Sequence, residues 1–233
     1  SDVFAVDIAE GFGGCRYIIN LFDELYEIRL HMTGRHNVYN SMAAAECAKL
    51  AGIPVPVIAD GLASLEKVSG RLERAGSFRG ADIFVDFAHT PDGLEKSLRA
   101  LRPHCKGRLI CLFGCGGNRD ALKRPLMGEA SARFADFTVL TSDNPRYEDP
   151  FDIILQIEEG VKKYTDDYII VVDRESAIEY AVDKLEKGDV LLVAGKGGEN
   201  YQEIMGVKHI YSDFSAIRGI LKFKSAEKGG KNA

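Results

Sequence analysis

Asp143, Asn144 and Arg146 stand together in "TSDNPRYEDP", residues 141–150, directly after the apolar run Phe137–Leu140. Pro145 fixes its own φ and pushes the residue before it toward extended backbone, so Asn144 and Arg146 are held rather than loose. Three further polar clusters have the same placement, each after an apolar run: "DFAHTPDG" (86–93), "GCGGNRDALKRP" (114–125) and "GKGGEN" (195–200). Ligands of an open parallel sheet bind beyond the carboxyl ends of its strands. Four polar loops on one such rim offer a ligand site built from charged and amide side chains.

Each loop also has a bland reading. Glycines after a strand serve as turn residues, and "GCGG" lacks the GxGxxG spacing of a dinucleotide site. Asp86 has the placement of a cap for the helix starting near Pro91. His89 could be a solvated histidine, and Arg146 could pair with Glu148 or Asp149 at little energetic consequence. Singly these readings compete evenly with the functional ones; four loops on one rim favour function.

The elements that must position the loops follow from periodicity. "RYIIN" and "YEIRLHM", the latter with Tyr26, Ile28, Leu30 and Met32 on one face, predict an antiparallel hairpin. Helices are predicted over 37–51, stopped by Gly52 and Pro54, and over 58–67. The stretch "GRLERAGSFRG" reads as turn-rich. From Ala81 onward strands alternate with helices: strands at "DIFVDFA", "RLICLFG", "FTVLTSD", "YIIVV" and "DVLLVAG", helices over 91–102, 123–134, 151–164 and 177–186. Continuous apolar strands between amphipathic helices predict an α/β fold, a mostly parallel sheet covered on both faces. The boundary is placed at 77/78, the Lys/Gly-rich end from Ser225 reads as disordered, and 1–77 reads as the back half of something larger.

The 233 residues suffice for one large domain or two smaller ones. A net charge of −5 gives no electrostatic case for nucleic acid or an anionic membrane, and no apolar run approaches a membrane span. Five cysteines without paired spacing argue against a disulfide framework; Cys111 and Cys115 lack the partner pair a zinc site needs. The default is a reduced, cytoplasmic protein.

Seven motifs occur in an order that resembles the Mur ligases: "GRHNVYNSMAAA", "GRLE", "DFAHTPDGLEKSL", "GCGGNRDALKRPLMG", "DNPRYEDP", "DR" with "AI" at 173–178, and "AGKGGENYQ". The resemblance runs from about residue 26 to 206 and is greatest to the branch that adds meso-diaminopimelate. It implies residues 1–77 as the C-terminal part of a central ATPase domain and 78–233 as a C-terminal Rossmann-like domain. The implied activity is ATP-dependent, ADP-forming amide ligation in peptidoglycan precursor synthesis. The carboxylate of UDP-MurNAc-L-Ala-D-Glu is activated as an acyl phosphate and the amino acid's amine attacks it. No protein nucleophile is implied; positioning and charge neutralisation do the work.

By the same resemblance, Asn37 would contact adenine and Arg71 the nucleotide phosphates. Asp86 would hold the ribose hydroxyls, with His89 and Asn118 on the nucleotide side and Lys123 and Arg124 as further anion contacts. Arg146 would meet the far carboxylate of the diamino-dicarboxylic acid, helped by Arg119, Asp143 and Asn144, while Glu199 and the backbone at Gly195 take its distal ammonium. ATP and Mg2+ are the implied cofactors, the magnesium ligands being expected from a preceding part. The implied partners are the UDP-MurNAc-dipeptide and meso-diaminopimelate, with no nucleic acid and no membrane insertion, on a monomer. Gly198 stands where the family has a histidine, and "YSDF" at 211–214 where it has an acidic pair. No GK[ST] phosphate loop occurs, so this chain alone is expected to lack ligase activity, and a hinge is placed at 76–80. A non-catalytic binding fragment, an L-lysine-adding or muropeptide-recycling ligase, and a folylpolyglutamate or cyanophycin synthetase are the alternatives; "DNPR" argues against the last two.

Overall fold

A computed structural model describes residues 2–230. Its contacts divide the chain after Val68 into two units. In the first, β1 (Val3–Gly11), β2 (Gly14–Leu21) and β3 (Glu24–Leu30) form an antiparallel meander in that order. Phe22 and Asp23, with φ of 52° and 66°, make the two-residue turn between β2 and β3. Cys15, Tyr17, Ile19 and Leu21 of β2 and Ile28 and Leu30 of β3 alternate onto one face, which α1 (Arg35–Leu50) and α2 (Val55–Ser64) cover with Val38, Ala45, Ile58 and Ala59. The predicted hairpin is therefore present. The opening residues form a third strand, β1, which the sequence reading did not assign. Its alternation is broken by a register shift between Val6 and Ala9, which hid it in the sequence.

The second unit holds a six-stranded sheet. Its strands are β4 (Glu73–Phe78), β5 (Ala81–Asp86), β6 (Leu109–Phe113), β7 (Phe137–Leu140), β8 (Tyr168–Ile170) and β9 (Val190–Ala194), in the order β4-β5-β9-β6-β7-β8. β5 to β9 pair in parallel, and only β4 runs antiparallel, at the edge. The mostly parallel α/β class is as expected. α6 (Arg174–Asp183) and α7 (Asp213–Gly230) cover one face, packing Ile178, Val182, Ile217 and Ile220 onto Ile83, Ile110, Val139 and Leu191. Strand residues of the opposite parity, Cys111 and Phe113 among them, face the other side. There α3 (Pro91–Leu101), α4 (Lys123–Phe134) and α5 (Pro150–Val161) contact the sheet. Thr90, Asp149 and Asp173 each cap the helix that follows by accepting a backbone N–H. Asp86 is thus not the cap of α3.

Four expectations are corrected. The stretch called turn-rich contains β4, an edge strand whose Arg74 pairs across to Asp82; the boundary by contacts falls earlier than 77/78 because β4 belongs to this sheet. Residues 76–80, expected as a hinge, are the end of β4 and the Arg79–Gly80 turn into β5. The tail from Ser225, read as disordered, continues α7 to Gly230, while residues 231–233 lie outside the described ones. A further hairpin, β10 (Tyr201–Ile204) with β11 (Val207–Ile210), follows β9.

Two glycines let α4 and α5 cross in contact. A Cβ on Gly160 would lie 1.8 Å from the carbonyl oxygen of Pro125, and one on Gly128 would lie 2.1 Å from that of Ile157. Neither obstacle is a side chain that can swing away. Gly160→Ala is expected to destabilise the protein by about 1–3 kcal/mol in thermal or urea unfolding. Gly61→Ala, where nothing lies within 4 Å, is expected to be neutral or to stabilise by about 0.5–1 kcal/mol. Equal stability of the Gly160 variant and wild type would show that the crossing is not close-packed.

Candidate functional site

The loops after β6, β7 and β9 close around a cavity of about 400 Å³ in the second unit. Arg119, Asp143, Asn144, Arg146, Gly195 and Glu199 all line it, as do His89, Asp120 and Lys123. The structure therefore brings together the six residues singled out for the amino acid, with His89 from the nucleotide set. Asn37 belongs to the first unit, where its buried amide donates to Thr33 O at 2.8 Å. Asn118 does not line the cavity; its backbone N–H bonds Glu148, and its Oδ1 accepts from Tyr147 N at 3.1 Å. The Arg71 guanidinium lies over the Phe87 ring, 4.7 Å from its centre.

Arg146 is held by more than its proline. Its own φ is 52°, a left-handed conformation that costs a non-glycine residue about 1–2 kcal/mol. Backbone hydrogen bonds to Glu203 O at 3.0 Å and from Met205 N at 2.6 Å impose it, forming a bridge beside Ile204 of β10. The guanidinium then meets Glu203 through Nε at 3.1 Å and Gly117 O through Nη1 at 2.8 Å. The bland expectation of Glu148 or Asp149 as its partner fails: Glu148 pairs with Arg124, and Asp149 caps α5.

A network absent from the sequence reading lies under the opposite wall. Lys196, its side chain fully buried, donates to Asn144 Oδ1 and to Glu199 Oε2, each at 3.0 Å. Asn144 Nδ2 donates to the same Glu199 oxygen at 3.0 Å, and Glu203 N donates to Asn144 Oδ1 at 2.9 Å. The amide of Asn144 is thereby oriented, with Glu199 Oε2 anchored. A lysine between two glycines gave no hint of burial. On the other side Lys123 Nζ donates to His89 O at 2.7 Å.

Two residues play other parts than expected. Arg124 is 1% exposed and is no anion contact for a ligand. It forks onto Glu148 at 2.8 and 3.0 Å and also bonds Gln156 and Gly116 O. Asp86 is buried, with Oδ1 accepting from Leu72 N at 3.2 Å and Phe87 N at 2.8 Å, and Oδ2 bonded by the Ser97 hydroxyl. Cys111 and Cys115 are buried, and burial pushes both thiols up to about 12. At Gly198 a Cβ would sit 3.1 Å from Ser69 Oγ, so a side chain there would press on the neighbouring segment.

The family described as "Mur ligase, glutamate ligase domain" matches residues 70–197. The chain is 44% identical over 211 residues to the UDP-N-acetylmuramoyl-L-alanyl-D-glutamate--2,6-diaminopimelate ligase of Caldanaerobacter subterraneus subsp. tengcongensis, covering 91% of this chain and 43% of that protein. It is 44% identical over 225 residues to the same-named protein of Syntrophomonas wolfei, covering 96% and 46%. A solved structure with that name superposes with a TM-score of 0.68 at 33% identity, over 97% of this chain and 46% of that one. The UDP-N-acetylmuramate-alanine ligase of Thermotoga maritima, at 17% identity and a TM-score of 0.71 over 97% and 46%, shares the fold. The chain thus spans less than half the length of these relatives.

The Arg124–Glu148 pair has a pH signature. Hydrogen bonds from Arg124, then from Asn118 N, hold the Glu148 carboxyl below the ordinary glutamate value. A depressed folded pKa stabilises fully above the unfolded value, ~4.3, and that stability is lost as pH falls through the folded value. Urea unfolding of wild type and Glu148→Gln should therefore differ most above about pH 5 and converge as the pH falls below the unfolded value of about 4.3. A difference constant over that range would rule the linkage out.

Proposed function

The chain belongs to the Mur ligase family, and from that membership we propose that it is part of an ATP-dependent ligase joining meso-diaminopimelate to UDP-MurNAc-L-Ala-D-Glu in the cytoplasm. The observation that carries the reading is the cavity itself, which gathers the Arg146 guanidinium, an oriented amide and an anchored carboxylate on one rim. Such a set matches the distal end of a diamino-dicarboxylic acid. Arg146 and Asn144 would take the carboxylate, and Glu199 with Gly195 the ammonium. Asp143, Arg119 and Asp120 supply the remaining charge around the ligand.

The residues serve by binding and orienting. A rigid fork discriminates through the carboxylate that lysine lacks, since an unanswered guanidinium in a half-buried wall loses its hydration without a partner. Nucleotide phosphates would be met by Arg71, with His89 and Lys123 nearby on the rim. ATP would supply the activating phosphoryl group when bound. Magnesium does not fit the residues present: among the described residues no group of three or more His, Cys, Asp or Glu side chains could hold a metal ion. No described helix is long and apolar enough to cross a membrane. Monomeric state and absence of nucleic acid belong to the same proposal.

Calorimetric titration of meso-diaminopimelate and L-lysine into wild type and Arg146→Ala tests it. Diaminopimelate should bind wild type and lysine much more weakly. Arg146→Ala should lose about ten- to a hundredfold in diaminopimelate affinity, the worth of a charged hydrogen bond of roughly 1.5–3 kcal/mol. Equal binding of the two amino acids would sink the assignment.

A further inference from the structure

Arg174 opens α6 in the "DR" pair of the sixth motif, to which the proposed function gives no role. Its side chain is fully buried, and so is that of Asp213, the first residue of α7. The two meet as a fork, Nε to Oδ1 and Nη2 to Oδ2, each at 2.8 Å, and Tyr211 OH donates to the same carboxylate at 3.1 Å. Burial works against the arginine's charge, but Asp213 more than compensates and holds it above the ordinary arginine value.

The other face of the guanidinium is turned to the rim. Nη2 donates to Ala194 O at 2.9 Å and Nη1 to Ser142 O at 3.3 Å. Ala194 ends β9, and Ser142 follows β7 by two residues; β6 lies between these strands in the sheet. No ladder hydrogen bond can therefore join β9 to β7, and the arginine spans them across the end of β6. The next residue on each side is a cavity residue, Asp143 after Ser142 and Gly195 after Ala194.

We propose that Arg174 is a positioning residue that sets the distance between the 142–149 and 195–200 loops, so that a ligand answered by both is bound at one spacing. The inference rests on the reading of the cavity as an amino-acid site. A ligand that engages Arg146 on one loop and Glu199 on the other depends on the span; one that engages only the first loop does not. Preorganised spacing strengthens binding by removing the cost of ordering the walls.

The test compares meso-diaminopimelate with L-2-aminopimelate, which keeps the far carboxylate and lacks the distal ammonium. Both are titrated into wild type and Arg174→Lys, a change that keeps a charge for Asp213 but cannot fork onto both carbonyls. Wild type should prefer diaminopimelate by about tenfold or more. In Arg174→Lys that ratio should fall toward about one while aminopimelate affinity stays unchanged. A ratio equal to wild type would overturn the inference, as would a parallel loss of both ligands, the mark of a general structural role. Should Arg174→Lys not fold, Asp213→Asn removes the anchor behind an intact arginine, and the same collapse of the ratio is expected. A wild-type chain that binds neither ligand, or both equally, would instead overturn the amino-acid reading, and this inference with it.

Discussion

One buried guanidinium holds two of the rim loops in register. Arg124, on the first turn of α4, reaches Gly116 O in the loop after β6 and forks onto Glu148 in the loop after β7. Glycine-rich loops have no stiffness of their own, so the Gly116–Gly117 backbone needs an external partner to keep a fixed path. Burying an arginine is costly unless its charge and its hydrogens are answered. Here a carboxylate, an amide and a carbonyl answer it, and Nε is left without a partner. That imperfect satisfaction fits a residue retained for geometry: an apolar core residue would pack at lower cost but could not reach both loops.

The hairpin of β10 and β11 completes the wall by a second, weaker route. Its strand edge imposes left-handed backbone on Arg146 and supplies Glu203 as ion partner. Glu203 N fixes the Asn144 amide as well. One short strand thus orients both the guanidinium and the amide beside it. Lys196 reaches the same amide from below and anchors Glu199. The polar groups of the cavity are therefore linked to one another before any ligand arrives, the condition under which a polar site binds without reorganising.

The parallel sheet was legible because buried strands read as unbroken apolar runs and their helices as amphipathic ones. The predicted helix over 123–134 coincides with α4. The elements missed are those whose partners lie on one side only. β4 is a polar edge strand containing a glycine, and β11 is exposed along its whole length. Among site residues the sequence could not tell Arg124 from Arg146. Both are arginines in the polar clusters that follow strands, "GCGGNRDALKRP" and "TSDNPRYEDP". Only packing decides that one is enclosed by α4 and α5 while the other faces the cavity. Arg174 and Lys196 were missed for the same reason, since nothing local marks a cation as buried; for Arg174 the "DR" pair at 173–174 was the available signal.

Asp86 shows how far a role carried by resemblance can be weighed by counting donors. A carboxylate offers about four lone-pair sites. Leu72 N, Phe87 N and Ser97 Oγ occupy three, tying the "GRLE" segment, the end of β5 and α3 together. At most about one site is left for a ribose hydroxyl. An alanine there would leave the Leu72 and Phe87 N–H groups without their acceptor, so loss of nucleotide binding in such a variant would report the collapse of this junction as much as a lost ribose contact. The cleaner probes of the nucleotide side are residues whose side chains serve no such junction. Arg71, whose guanidinium lies over the Phe87 ring, and Lys123, which donates to His89 O, meet that condition.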